Sequence, residues 1–422
     1  MGTRTEDHAG GPSSRAARRE RALRLVEEGR RDEALPLWRA ELSTGESGLA
    51  WMQDQLHSLL ERRDLTAAGE CAAIAAELRW GAGSGPAPRA SVPMSVPKLR
   101  HDLQQLGHLR RQGVLGEEHA PVIDAYRRAH DRLVARGADA REPLDAAADP
   151  VLADAYNRLL HVRDTPRVVR ALSSRWDPAA VEEQYLANPP GVVFVDGFLT
   201  DEALDGLYRF CLDSTIWSGN RYAHGRLGAF FQDGFACPLL MQIAEELREA
   251  LPRLIGERYP LRQMWGFKSG PELPADATTH ADFAAVNVNF WIIPDSANLD
   301  PGSGGLVVHD LDAPLSWDFD TYNGRSDLIR PFLRERRARS MTIPYRRNRA
   351  VVFNSDLFHA TDAMRFRPGY ENLRINVTML YGDREAEVHH RELSGPVTTL
   401  SRPAWRSAAF ARRKAGARPR KG

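Results

Sequence analysis

Thr279-His280-Ala281-Asp282, followed after three intervening residues by Val286-Asn287-Val288-Asn289-Phe290-Trp291-Ile292-Ile293, is the stretch on which the reading of this chain turns. In an extended segment residues i and i+2 point to the same side. His280 and Asp282 can therefore offer an imidazole nitrogen and a carboxylate oxygen to one metal ion. The β-branched and aromatic run that follows reads as a strand. On it Asn287, Asn289 and Trp291 share one face, opposite Val286, Val288, Phe290 and Ile292. An inward polar face would contact a substrate or co-substrate, whereas a sheet with one wet face would carry the same pattern.

Seventy-seven residues beyond Asp282, His359 ends the segment Phe353-Asn354-Ser355-Asp356-Leu357-Phe358-His359, just past the apolar strand Ala350–Phe353. That interval is long enough for intervening strands to bring the chain back beside the first pair. Two histidines and a carboxylate on one face of an octahedron leave three positions open, the arrangement used by non-haem iron(II) oxygenases. With 13 histidines in the chain an isolated His-x-Asp triplet means little, so order and spacing carry the inference. Fifteen residues after His359, Arg374 opens the strand Arg374-Ile375-Asn376-Val377-Thr378-Met379-Leu380-Tyr381. Arg374 and Asn376 point the same way, and a guanidinium fork beside an amide can bind a carboxylate.

Competing readings exist for several of these residues. Of 57 lysines and arginines only Lys98, Lys268, Lys414 and Lys421 are lysine, so a lone arginine tells little. Arg374 could make a plain cross-strand ion pair, and Arg365 and Arg367 compete for its role. His309 could pass for the distal ligand, but the arginine about 15 residues on, Arg325, sits in a glycine-containing loop. Asp300-Pro301-Gly302 and Ser303-Gly304-Gly305 read as turns, since no helix follows to bind phosphate.

Around this centre, strands are expected at 191–196, 227–231, 262–268, 286–293, 304–309, 341–345, 350–354 and 374–381. Helices interrupt them at 201–213, opened by the Thr200/Asp201 cap signal, and at 238–255. Many strands with few helices argue for a barrel or sandwich. Upstream, residues 17–80 show apolar positions at helical spacing. Arg30-Arg31-Asp32-Glu33-Ala34 matches Arg62-Arg63-Asp64-Leu65-Thr66 at an offset of 32, close to the tetratricopeptide period of 34, although the second copy lacks the turn glycine Gly29. The expected organisation is a disordered N-terminus (1–16), tetratricopeptide-like hairpins (17–80), a Gly/Pro/Ser linker (81–97), a helical connector (98–185), the strand-rich domain (186–395) and a basic tail (396–422).

The composition narrows the function classes. A chain of 422 residues with a formal charge of +1 gives no reason to expect nucleic acid or an anionic membrane as partner. Three dispersed cysteines, Cys71, Cys211 and Cys237, suggest neither a disulfide framework nor a zinc knuckle. No apolar export segment or run of about 18 apolar residues is present, and a cytoplasmic location is expected.

From about Gly191 to Arg384 the His-x-Asp…His…Arg order resembles the iron(II)/2-oxoglutarate-dependent dioxygenases. The resemblance implies an α+β protein, with an N-terminal α-helical repeat module followed by a C-terminal double-stranded β-helix (jelly-roll or cupin-like) barrel. It further implies Fe(2+) held by His280, Asp282 and His359, with 2-oxoglutarate and O2 as co-substrates and Arg374 clamping the distal carboxylate. The family more often has Ser or Thr where this chain has Asn376. Because Asp282 is present, unlike in the related halogenases, hydroxylation is the expected outcome. The expected substrate is a peptide or protein side chain or an amino-acid-like small molecule, and the helical repeats could recruit a protein partner. Two alternatives are a catalytically inactive barrel-plus-repeat scaffold and a 2-oxoglutarate-independent non-haem iron dioxygenase.

Overall fold

The computed structural model describes residues 12–81, 93–274 and 279–384, the side chains of 12–14 and 223 excepted. The expected tail and most of the expected linker lie outside these residues. Four helices come first: α1 (Pro12–Glu27), α2 (Arg31–Leu42), α3 (Glu46–Glu61) and α4 (Leu65–Trp80). Pro12–Ala16, expected as a disordered N-terminus, thus already belong to a helix.

The repeat runs at 34 residues rather than at the 32 of the sequence match, since Arg31 and Leu65 begin equivalent helices. The two preceding turns close alike, Arg30 N–H donating to Leu25 O and Asp64 N–H to Leu59 O. Gly29 (φ 70°) and Arg63 (φ 61°) occupy the same left-handed position in them. An arginine here hides the second turn from a search for glycine.

Strand β1 (Met94–Ser95) pairs with β2 (Arg141–Glu142) and brackets α5 (Val96–Arg111) and α6 (Ala120–Val134). Ser95 caps α5 by accepting from Lys98 N–H, with Pro97 in the first turn. Beyond α7 (Pro150–Ala155), residues 156–177 carry no helix, and α8 (Pro178–Ala187) follows behind the Asp177 cap. The expected connector is therefore helical only in part. No helix among the described residues is long and apolar enough to cross a membrane.

The remaining elements are β3 (Val192–Asp196), α9 (Asp201–Asp213), β4 (Leu227–Phe230), α10 (Pro238–Ala250), β5 (Leu261–Ser269), β6 (Glu272–Leu273), β7 (Val286–Trp291), β8 (Leu306–Asp312), α11 (Phe319–Gly324), α12 (Ser326–Glu335), β9 (Ser340–Ile343), β10 (Arg349–Asn354), β11 (Leu357–Thr361), β12 (Met364–Arg365) and β13 (Arg374–Tyr381). Helix α10 stops short of the expected 255 because Leu251 precedes Pro252, which disfavours helical backbone. Likewise β9 ends where Pro344 withholds a donor from the ladder.

An antiparallel six-stranded sheet runs β3-β10-β7-β13-β5-β4, and a smaller one runs β11-β8-β9. His280 adds a bridge to β11 at His359. Number β5, the His280 bridge, β7, β8, β9, β10, β11 and β13 one to eight. The large sheet then reads six-three-eight-one and the small sheet two-seven-four-five, the order of a double-stranded β-helix. Strands β3 and β4 extend the large sheet at its edges.

One hydrophobic cluster joins Trp38, Ala68 and Ile74 of the first helices to Phe210 and Ile243 and to Val288 and Phe353 of the barrel. Gly69 permits that junction, because a β-carbon there would stand 2.6 Å from Met241 Cγ on α10. A second cluster, with Leu99, Tyr126 and Tyr156, holds α5, α6 and α7 together.

Candidate metal centre and its cavity

His280 and His359 face each other across the bridge between the second and seventh strands. Each backbone N–H donates to the other's carbonyl, at 3.0 and 2.8 Å. Asp282 N–H donates to Ser355 O, so Asp282 is tied to the turn that leads into β11. A register shift between Leu357 and His359 marks an irregularity in β11, of the kind that re-aims a side chain beside a site.

The side chains converge. His280 Nε2 lies 3.6 Å from Asp282 Oδ1, and His359 Nε2 lies 3.4 Å from Asp282 Oδ2. Among the described residues these three form the group whose ligand atoms lie within 4.8 Å of one another. Neighbouring ligands of an octahedral ion with bonds of about 2.1 Å sit about 3 Å apart, so small side-chain adjustments suffice.

The supporting contacts orient the ligands. His359 Nδ1 lies 2.9 Å from Leu357 O, which fixes its proton there and leaves Nε2 as the donor for a metal. Asn287 Nδ2 donates to Asp282 Oδ2 at 2.8 Å. Burial alone would raise the Asp282 carboxyl, but the hydrogen bond with His359, the charge of His280 and the Asn287 amide together hold it below its ordinary value.

Asn287, Asn289 and Trp291 lie on the inner face of β7 and are buried, as are the residues of its other face. The expected alternative of a wet face does not apply. Asn289 Nδ2 donates to Thr378 Oγ1, Asn376 Nδ2 reaches the same oxygen at 3.4 Å, and Arg374 Nη1 donates to Asn376 Oδ1. A polar row thus runs from near the ligands along β13 to Arg374. Asn287 Oδ1, Asn289 Oδ1 and Trp291 Nε1 are buried along it without a hydrogen-bond partner among the described residues.

Arg374 is 2 % exposed, lies over the Trp291 ring, and donates Nε–H to Gly304 O at 2.7 Å and Nη2–H to Gly305 O at 3.2 Å. Burial pushes its guanidinium down to about 9, and no carboxylate pairs with it among the described residues. Three of five N–H groups are engaged, leaving two. The competitors Arg365 and Arg367 are exposed at the surface. His309 lies on β8 opposite Ser340, outside the ligand group.

The triad opens into a cavity of about 580 Å³ between the two sheets. Insertion helices α11 and α12 supply part of its wall through Phe319, Asn323 and Ser326. They are stitched to the ligand segment: Ala281 N–H donates to Tyr322 O, and Asn323 Nδ2 donates to Ala281 O. Arg384, buried against Asp356 at 2.6 Å, ties the far end through its backbone bond to Phe283 O. Sequence reasoning missed these helices, Arg384 and the cavity-lining Arg226.

No protein-family model matches the chain, and no curated protein matches it. Several solved structures do. A Pseudomonas putida prolyl-4-hydroxylase overlaps 49% of this chain and 99% of its own, at 14% identity and a TM-score of 0.32. The epimerase SnoN in complex with Fe3+, alpha ketoglutarate and nogalamycin RO overlaps 55% of this chain and 97% of its own, at 16% identity and a TM-score of 0.36. EctD from S. alaskensis with bound Fe overlaps 52% and 84%, at 13% identity and a TM-score of 0.33. What this cavity can hold is read from its own residues.

Proposed function

We infer that the chain is a mononuclear iron(II) oxygenase that uses 2-oxoglutarate and O2 to hydroxylate an aliphatic carbon of an amino-acid-like small molecule or a peptide side chain. One observation carries this reading: the converging His280, Asp282 and His359 stand at one end of a buried polar row that ends on Arg374, a buried cation with donors to spare. Two imidazoles and one carboxylate suit iron(II) and leave a face open. The orphaned Oδ1 of Asn289, which lines the cavity, is bonding capacity for a polar co-substrate.

With both groups bound, the ion would couple activation of dioxygen to decarboxylation of 2-oxoglutarate, giving succinate and carbon dioxide. The chain's own residues do the positioning. Arg374, steadied by two glycine carbonyls, would hold the distal carboxylate, and Asn376 holds Arg374 in turn. Leu357 O sets the proton on His359, and Asn287 orients Asp282. The insertion helices supply part of the cavity wall and would limit water around a bound substrate. A cavity of about 580 Å³ suits a small molecule or one inserted side chain. One face of α4 is occupied by α10 and the barrel, so a protein partner of the repeats would use the outer faces of α1 to α3.

The test is conversion of 2-oxoglutarate to succinate by purified protein with iron(II), lost on Asp282→Ala. Iron binding without succinate under any substrate mixture would favour a dioxygenase that cleaves its substrate directly. No iron binding would leave the scaffold reading.

A further inference from the structure

Arg226 immediately precedes β4 and lines the same cavity as the triad. It is 8 % exposed, and its Nε–H is buried without a partner. Among the described residues no carboxylate or carbonyl meets its guanidinium, which rests on the Phe267 ring at 4.6 Å and lies 6.0 Å from the Tyr222 centroid. Burial pulls it down to about 10, opposed only by Tyr222. Two of the other deeply buried arginines are answered within the chain, Arg384 by Asp356 and Arg374 by two carbonyls. A desolvated cation left unanswered is strongly unfavourable and points to a counter-charge that arrives from outside.

Its position separates it from Arg374. Leu227 pairs with Lys268, and Ser269 pairs with Arg374. Extending the ladder by one residue sets Arg226 level with Ser269, two strands and about 10 Å of sheet from Arg374. Arg374 lies over Trp291 of β7, and Arg226 over Phe267 of β5, so Arg226 leans towards Arg374, close enough for its charge to lower the Arg374 guanidinium. From Arg226 towards the triad the wall is aromatic, with Phe230, Trp265 and Phe267 in edge contact.

We propose that Arg226 recognises an oxyanion, a carboxylate or a phosphate, on the substrate itself, whose apolar body lies along Phe230, Trp265 and Phe267. The proposal rests on the oxygenase reading of this cavity and gives the substrate a charge. Stacking on Phe267 holds the guanidinium in place before the substrate arrives, so little side-chain entropy remains to be lost on binding. With two strands between their backbones, Arg374 would take the co-substrate carboxylate and Arg226 the substrate oxyanion, and either bound anion would also ease the repulsion between the two cations.

The test uses the full chain and two readouts, thermal unfolding and tryptophan fluorescence from the cavity-lining Trp265. Without ligand, Arg226→Met raises Tm by a few degrees, because it keeps the stem over Phe267 and removes the unanswered charge. 3-Phenylpropionate or phenyl phosphate binds the wild type at least about 10-fold more tightly than 3-phenylpropanamide does, and the more effective anion names the oxyanion. In Arg226→Met and Arg226→Gln that preference disappears, while 2-oxoglutarate still binds. A lower Tm in both variants would make Arg226 structural and overturn the proposal. So would equal binding of anions and amide, or loss of 2-oxoglutarate affinity in place of the preference. Iron binding is measured on the same wild-type sample; its absence would sink the oxygenase reading and leave the anion preference to be judged on its own.

Discussion

His359 and Asp282 are each held by a second group, Leu357 O and Asn287 Nδ2, and those partners decide how well the two side chains are aimed. Replacing Asn287 by Ala removes the donor to Asp282 and leaves the ligand set intact. Iron(II) affinity should fall about 10- to 100-fold, read by competition titration. Arg374→Gln removes the charge and at least one charged hydrogen bond worth about 1.5–3 kcal/mol, so the Kd for 2-oxoglutarate should rise at least about 10- to 100-fold with iron binding unchanged. An equal loss of iron would show that Arg374 props the barrel and does not clamp a ligand. The His280, Asp282 and His359 group was legible in sequence because strand geometry puts i and i+2 on one side and an arginine-bearing strand follows at the expected distance. Arg226 was not, since in a chain with 57 basic residues and four lysines one more arginine carries no signal. Its meaning comes from burial without a partner, which only packing creates.

Eight of the larger strands were readable from β-branched runs and turn residues, but β11, which carries His359, was not. Leu357–Thr361 is five residues long, follows a two-residue turn after β10, and is buried at every position but its last, so it lacks alternation. Helices α11 and α12 were hidden as well, since Asp318, Gly324 and Pro331 read as loop residues although Asp318 caps α11. The turn Ser303-Gly304-Gly305 proves to have a second use as the carbonyl cradle of Arg374. A β-carbon on Gly305 would fall 1.9 Å from Ile343 O, so Gly305→Ala must displace backbone at β8 and β9. We expect a loss of about 1–3 kcal/mol in urea unfolding, together with weaker 2-oxoglutarate binding. A stability loss with 2-oxoglutarate affinity intact would separate the cradle from the ligand site.

Across the whole molecule, the hairpin helices and the barrel share one hydrophobic cluster, with α4 set against α10 through Gly69 and Met241. Two helical pairs are too few to bury a core alone and so must lean on a neighbour, but with a Gly/Pro-rich break from residue 81 local composition cannot report which faces meet. Removing residues 1–80 should expose α10 and give a chain without the cooperative unfolding of the intact protein. A soluble, cooperatively folding fragment would mean that the shared cluster adds little. The central claim concerns the barrel's polar interior, and it is tested most directly by anaerobic titration. Iron(II) is added to the full chain and then 2-oxoglutarate, with the visible absorption of the iron-bound 2-oxoacid as readout. The account predicts saturation at one iron and one 2-oxoglutarate per chain, with the signal absent in Asp282→Ala and shifted to far higher 2-oxoglutarate in Arg374→Gln. Iron that binds equally well to the wild type and Asp282→Ala, or a wild type whose bound iron gives no absorption with 2-oxoglutarate, would contradict it.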